Sequence, residues 1–224
     1  MRSMVDRLNL DRIQDAVSRA EERTAGEIVP VVVPRSDEYE AAVWRGVAAT
    51  VLLALLVVLL TLRFYDGWGL GWLFAPWGVA LSVLAAGTVG ALLARYVYPL
   101  QRLLVGNERL DETVHRRAVQ AFVEEEVFDT RDRTGILLFV SLREHRIEVV
   151  GDSGINEQVE PDDWAEVVAR IRRGIQNDNL TEGLVEAIEM CGRLLERKGV
   201  DIRPDDENEL TDTVRTPERD SGEE

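Results

Sequence analysis

Six oxygen-bearing side chains in the second half of the chain could meet around one hard cation: Asp129, Asp132, Asp152, Asn156, Asp162 and Asp163. Calcium takes roughly six to eight oxygen ligands, several from carboxylates and some from backbone carbonyls of a glycine-containing loop. Gly151-Asp152-Ser153-Gly154 could be that loop. The same residues admit plainer roles. Pro161, Asp162 and Asp163 suit the first turn of a helix, and the other acids could be solvated surface. The spacing is not that of an EF-hand, since no DxDxDG run is present.

A cation held there could serve a phosphatase, with Arg131 or Arg133 clamping phosphate. There is no P-loop and no CxxxxxR loop, and GDSG is not the GxSxG nucleophile elbow. No catalytic residue is therefore assigned. His115 lies on a charged helical stretch and His145 opens a strand, so both read as exposed or hydrogen-bonded rather than catalytic. Calcium or another divalent cation is the only cofactor these residues suggest.

Two strands must position this set. Gly135–Ser141, GILLFVS, is an almost wholly apolar run of strand length, expected to be central and covered on both faces. His145–Val150, HRIEVV, alternates as a half-buried strand does. The short link between them predicts an antiparallel hairpin. The approach to the first strand and the exit from the second then lie at one end, which brings Asp129 and Asp132 toward Asp152.

The longest features lie elsewhere. Gly46–Leu62 and Trp72–Ala94 carry no charge, and each falls in the window of roughly 17–25 residues that crosses a bilayer as a helix. Spans of about 45–64 and 72–95 are expected, forming a hairpin over residues 44–98. Trp44, Tyr65, Trp68, Trp72, Tyr96 and Tyr98 cluster at the ends of these runs, where headgroups favour aromatic rings. Gly78, Gly87 and Gly90, with Ala85 and Ala86, suggest a small-residue packing face. Arg35, Arg45, Arg95, Arg102 and Arg109 flank the hairpin, against Arg63 alone in its link. The positive-inside rule places both termini in the cytoplasm of a two-span protein of the cell inner membrane. The charged N-terminal stretch has no apolar core and does not read as a cleaved signal peptide.

The net charge of −15 belongs to the soluble parts: between Ala41 and Leu104 the only acidic residue is Asp66. Such acidity argues against nucleic acid, whose phosphates need a basic surface. Cys191 is the only cysteine, so no internal disulfide is possible. It falls in a helical pattern as a small buried residue.

Around the hairpin, apolar spacing predicts helices over Asp11–Arg23, Asp111–Val127, Pro161–Gln176 and Thr181–Lys198, the last capped by Thr181. Ser36 or Asp37 could cap a helix running into the first span. Glu27–Val33 reads as a strand, and Pro30 argues for an edge position because it cannot donate a ladder hydrogen bond. The fold class is α/β: a small central sheet of about three to four strands flanked by helices, interrupted by a two-helix transmembrane hairpin. Residues 1–43 and 99–200 form the two parts of one domain. Residues 201–224 carry ten acidic and three basic residues and are expected to be a disordered tail.

The strand GILLFVS, the second strand HRIEVVGDSGI and the acidic helix with Trp164 together resemble the TPM domain family, named for photosystem-II repair proteins and an acetylcholine-receptor modulator. The opening TAGEIVPVVV–SDEY resembles the first half of the same domain. GLVEAIEMCGRLL and DDENEL resemble a bacterial membrane-protein subgroup that carries a two-span hairpin inside the domain. The resemblance covers roughly residues 10–210. It implies an α/β sandwich, and a family whose members include calcium binders, weak phosphatases and assembly or repair factors. Many members place the domain outside the cytoplasm behind a signal peptide, and this chain departs from that pattern.

Two functions from different classes follow. The first is a membrane-anchored, non-enzymatic assembly, quality-control or scaffold module, with the lipid bilayer and other membrane proteins as partners. The second is a divalent-cation-dependent phosphatase-like hydrolase. Transport is disfavoured, because neither run holds a charge that could line a substrate path.

Overall fold

Pro30 sits in the middle of β1 (Glu27–Val33), a strand buried along its whole length. β1 pairs in parallel with β2 (Gly135–Ser141), Glu27 opposite Gly135 and Val33 opposite Ser141. β2 pairs antiparallel with β3 (Arg146–Gly151), Ile136 opposite Gly151. The order β1-β2-β3 makes β1 an edge, as Pro30 predicts, and puts β2 in the centre. The outward side of Pro30 is the one that lacks a donor, because its carbonyl also faces outward and accepts the Arg215 amide at 3.0 Å. Pairing with β2 therefore loses nothing.

The computed structural model describes residues 2–37, 39–64, 71–200 and 209–216. The chain divides into two units, Met1–Asp37 with Asp111–Glu224, and Glu38–Leu110. The first unit holds the sheet. Before it come α1 (Arg2–Val5) and α2 (Leu10–Glu21), which opens at Asn9, whose side chain accepts the Arg12 amide. Alternate residues of a strand face opposite sides, and here each side has its own core. On one side Ile28, Val32, Ile136, Leu138 and Val140 pack with Ile13 and Val17 of α2 and with two later helices. These are α9 (Ala165–Gln176) and α10 (Leu180–Lys198), which contribute Val167, Ile171, Leu184, Ile188 and Leu195. On the other side Val29, Val31, Val33, Leu137 and Phe139 pack with Val114, Ala118 and Ala121, from α7 (Asn107–Glu124). Phe139 is fully buried, a burial that stabilises the fold by about 1.5–3 kcal/mol. Cys191 is buried in the α10 core, and burial pushes its thiol pKa up.

The second unit holds α3 (Glu40–Phe64), α4 (Gly71–Phe74), α5 (Pro76–Tyr96) and α6 (Tyr98–Val105). α3 and α5 have 25 and 21 residues and are long and apolar enough to cross a membrane; at 1.5 Å per residue they reach about 37 and 31 Å. They pack together through Gly46, Thr50, Gly90 and Ala94. Leu52, Leu59, Leu81, Leu84 and Leu92 point outward and are more than half exposed. The polar side chains within the helices turn back on the backbone. Thr50 donates to Gly46, Thr61 to Val57, Ser82 to Gly78 and Thr88 to Leu84, each four residues earlier. This leaves those hydroxyls satisfied without water.

Several local expectations change. α3 starts at Glu40 rather than at a Ser36 or Asp37 cap. Tyr39 just before it takes a left-handed backbone, φ 53°, and the Ser36 hydroxyl instead lies 2.7 Å from that of Ser141. Thr181 does not cap α10, because its hydroxyl accepts the Asn9 amide at 3.1 Å. Pro161–Trp164 forms a 3-10 turn before α9 begins. Within the stretch expected as a disordered tail, the described residues 209–216 lie against the first unit: Val214 and Thr216 are buried and Arg215 bridges Val31. Tyr65, Trp68, residues 201–208 and residues 217–224 lie outside the described residues.

Candidate functional site

The β2–β3 hairpin does bring its two flanking loops together. The Asp152 amide donates to Gly135 at 2.9 Å and the Gly154 amide to Arg133 at 2.9 Å. Gly154 lies so close to the Asp132 and Arg133 backbone that a Cβ there would strike both carbonyl oxygens. Glycine is needed at this contact for close approach.

Asp152 is the centre of the junction. It is 7% exposed and caps the short α8 (Ser153–Asn156) by accepting the Ser153 amide at 2.6 Å. Its other oxygen lies 3.0 Å from Arg133 Nε, off the line a hydrogen bond needs. Arg133 is held from its own side: a guanidinium nitrogen donates to the Phe128 carbonyl at 3.1 Å, and the group stacks 5.8 Å from the Phe128 ring. Asp152 and Arg133 thus tie the two loops by charge, cap and carbonyl.

The other expected ligands do not join Asp152 as a cluster. Asn156 is exposed and its side-chain amide donates to the Gly151 carbonyl at 2.7 Å. Asp129, Asp132 and Asp162 are exposed. Asp163 accepts the Glu160 amide at 2.9 Å and pairs with Lys198. The Lys198 hydrogen bond and the Glu160 amide hold its carboxyl below the usual range. Among the described residues no three histidine, cysteine, aspartate or glutamate side chains are placed to hold a metal ion. His115 is exposed, with Nδ1 3.4 Å from Glu148, and His145 takes a left-handed backbone at a turn, φ 52°.

A second acidic grouping, missed in the sequence, lies at the β1 edge. Glu21 at the end of α2 accepts the Ile28 amide at 2.8 Å. Asp212 accepts the hydroxyl of Ser18, which precedes Glu21 by one turn on α2. Glu27 accepts the Glu209 amide at 3.2 Å. Burial first, and the neighbouring acids after it, push Glu21 up to about 9 and raise Glu27 as well. The sequence signal was the run Thr211-Asp212-Thr213-Val214-Arg215-Thr216, whose alternation and β-branched residues suit a strand.

The hairpin and its surrounding helices fall in a segment that is similar to a known family: residues 102–194 match the family model described as the TPM domain. The resemblance carried by GILLFVS, HRIEVVGDSGI and Trp164 stands over this segment, which holds all six expected ligands. Among solved structures, the NMR structure of BA42 protein from the psychrophilic bacterium Bizionia argentinensis is similar, with a TM-score of 0.55 and 20% identity, covering 94% of this chain and 95% of that one. At that identity the likeness concerns the fold. No curated protein matches the chain.

Proposed function

We propose that the chain is a membrane-anchored TPM-like domain protein, acting as a non-enzymatic assembly, quality-control or scaffold module on the cytoplasmic side of the inner membrane. The observation that carries this reading is the inverted character of the α3–α5 pair. Glycine, alanine and threonine face the partner helix while large leucines face outward. Soluble hairpins bury their large apolar side chains, whereas membrane pairs approach through small ones. The engagement of Asp152 and Asp163 in caps and ion pairs supports a structural role for the domain's acids.

Alkaline carbonate extraction and flotation test the anchor; recovery in the wash would overturn it. Proteolysis of sealed vesicles tests orientation, with tail cleavage expected only from the cytoplasmic side. Calcium titration and p-nitrophenyl phosphate turnover test the module reading, with no heat and no turnover expected. Heat or turnover abolished in the Asp152→Ala, Asp163→Ala double variant would replace it with the hydrolase.

A further inference from the structure

The break between α5 and α6 is dictated by the sequence. Pro99 has no amide for the Arg95 carbonyl four residues back, and Val97 takes an extended backbone, so α5 ends and a new helix starts at Tyr98. α6 then returns toward the start of α3. Arg45 donates to the Leu104 carbonyl at 2.7 Å, and Leu104 and Val105 pack with Tyr39 and Ala42. A straight continuation of α5 would carry Leu104 about 15 Å past Ala94. Ala94 lies against Gly46, the neighbour of Arg45, so that position would be out of reach of the arginine. α6 therefore covers the end of the α3–α5 pair instead of extending it.

What α6 leaves uncovered is apolar. Leu103 is 79% exposed, more open than any described leucine of α3 or α5. With Pro99, Gly106 and Asn107 it lines an open groove of about 410 Å³. Trp44 and Tyr96, at the same end of the two helices, are 72% and 73% exposed. This surface continues the outward-facing leucines of the pair. The same end is also basic. Arg45, Arg95 and Arg109 are exposed. Between Glu40 and Glu108 the only acidic residue is Asp66, in the link between the two apolar runs. A chain of net charge −15 is repelled by an anionic surface elsewhere and attracted here. Apolar residues edged by arginine beside a span match the headgroup layer of an anionic bilayer.

We propose that α6 is an interfacial helix that docks in the headgroup layer of anionic phospholipids, with Leu103 at the acyl boundary and Arg45 and Arg109 facing lipid phosphates. The proposal rests on the reading of α3 and α5 as membrane spans. Arg45 can serve both α6 and lipid, because a guanidinium carries five N–H donors and the Leu104 carbonyl takes one of them. Its contact with a phosphate is charge-assisted. A zwitterionic headgroup sets an ammonium beside its phosphate and so weakens that attraction, whereas an anionic one does not.

The test places a fluorescent label at position 103 through Leu103→Cys in the full chain, reconstituted in nanodiscs of phosphatidylcholine with or without phosphatidylglycerol. Cys191 is buried, and the wild type taken through the same labelling checks that it stays unmodified. Nitroxides on the lipid headgroups should quench the label about twofold more strongly when phosphatidylglycerol is present. Salt at about 1 M, where the Debye length is about 3 Å, should remove the difference. Adding Arg45→Gln and Arg109→Gln should also remove it, while Arg45→Lys and Arg109→Lys should keep it. A label introduced through Leu84→Cys on α5 reports the anchor, and nitroxides deep in the acyl chains should quench it in both lipids. Quenching at position 84 with none at 103 would overturn the docking and leave the anchor standing. So would equal quenching at 103 in both lipids, or self-quenching between labels on two copies, which would assign the surface to a second copy. No quenching at position 84 would overturn the spans and the docking together.

Discussion

Gly46 and Gly90 face each other across the α3–α5 pair, so near that a Cβ on Gly46 would stand 2.9 Å from the Gly90 carbonyl oxygen and one on Gly90 2.6 Å from that of Gly46. The obstacle on each side is backbone, which cannot rotate away. Gly90→Val is therefore expected to separate the helices at that turn and to destabilise the hairpin by about 1–3 kcal/mol. Gly87→Ala is the control. Its Cβ would meet Val51 and Val47 at 3.6 and 3.7 Å, ordinary contact distances, and alanine gains about 0.5–1 kcal/mol over glycine in a helix. Thermal unfolding in detergent should order the three proteins as Gly87→Ala, wild type, Gly90→Val. Equal stabilities would show that these helices do not depend on close approach.

Gly174 and Gly183 form a similar contact between α9 and α10, where a Cβ on either would lie 2.8 Å from the Cα of the other. Helix propensity alone favours alanine by about 1 kcal/mol. Because both obstacles are backbone, the clash outweighs that gain, and Gly183→Ala is expected to lower stability by about 1–2 kcal/mol. Urea denaturation followed by Trp164 fluorescence reads the sign, and a stabilised variant would show that the two helices can part at little cost.

Asp152 is expected to act as a cap and a tie. Asp152→Ala removes the acceptor for the Ser153 amide and the partner of Arg133, and should cost about 1–2 kcal/mol. Asp152→Asn keeps an acceptor and should recover most of the loss. If both variants unfold at the wild-type urea midpoint, the junction between the two loops is held by its backbone bonds alone.

Glu21 makes global stability depend on pH in a set direction. Its folded pKa is raised from 4.5 to about 9, so the folded chain retains a proton that the unfolded chain has lost across that window. By linkage, stability is highest below about 4.5, falls as pH rises, and levels off above about 9. Glu21→Gln cannot ionise. Its melting temperature should match the wild type at pH 4.5 and exceed it increasingly toward pH 9. A constant difference between the two proteins across that range would contradict the raised pKa.

Much of the fold was legible because it rests on periodicity. The apolar runs that became α3 and α5 need no partner to be recognised. GILLFVS reads as a strand buried on both faces, and Pro30 identifies an edge strand by the amide it lacks. The convergence of the 129–134 and 151–156 loops followed from hairpin geometry alone. What could not be read was how each acid at that end would be used. Asp163 went to Lys198 and Asp152 to Arg133 and an α8 amide, partners set by the placement of α10 and by the backbone of the 129–134 turn.

The sequence by itself determined the two apolar helices, the central strand and the TPM-like pattern, since burial imprints a period on neighbouring residues. Only the tertiary structure decided that Ser18 of α2 meets Asp212 of the tail. These two residues come from opposite ends of the chain, and polar side chains carry no period that would announce their meeting. Their proximity depends on the Thr24–Gly26 turn, on the free edge of β1, and on a tail whose acidity resembles disorder but whose Val214 and Arg215 find a strand to lie against. Composition describes a residue's average environment, whereas the hydrogen bond between Ser18 and Asp212 depends on the one place where they touch.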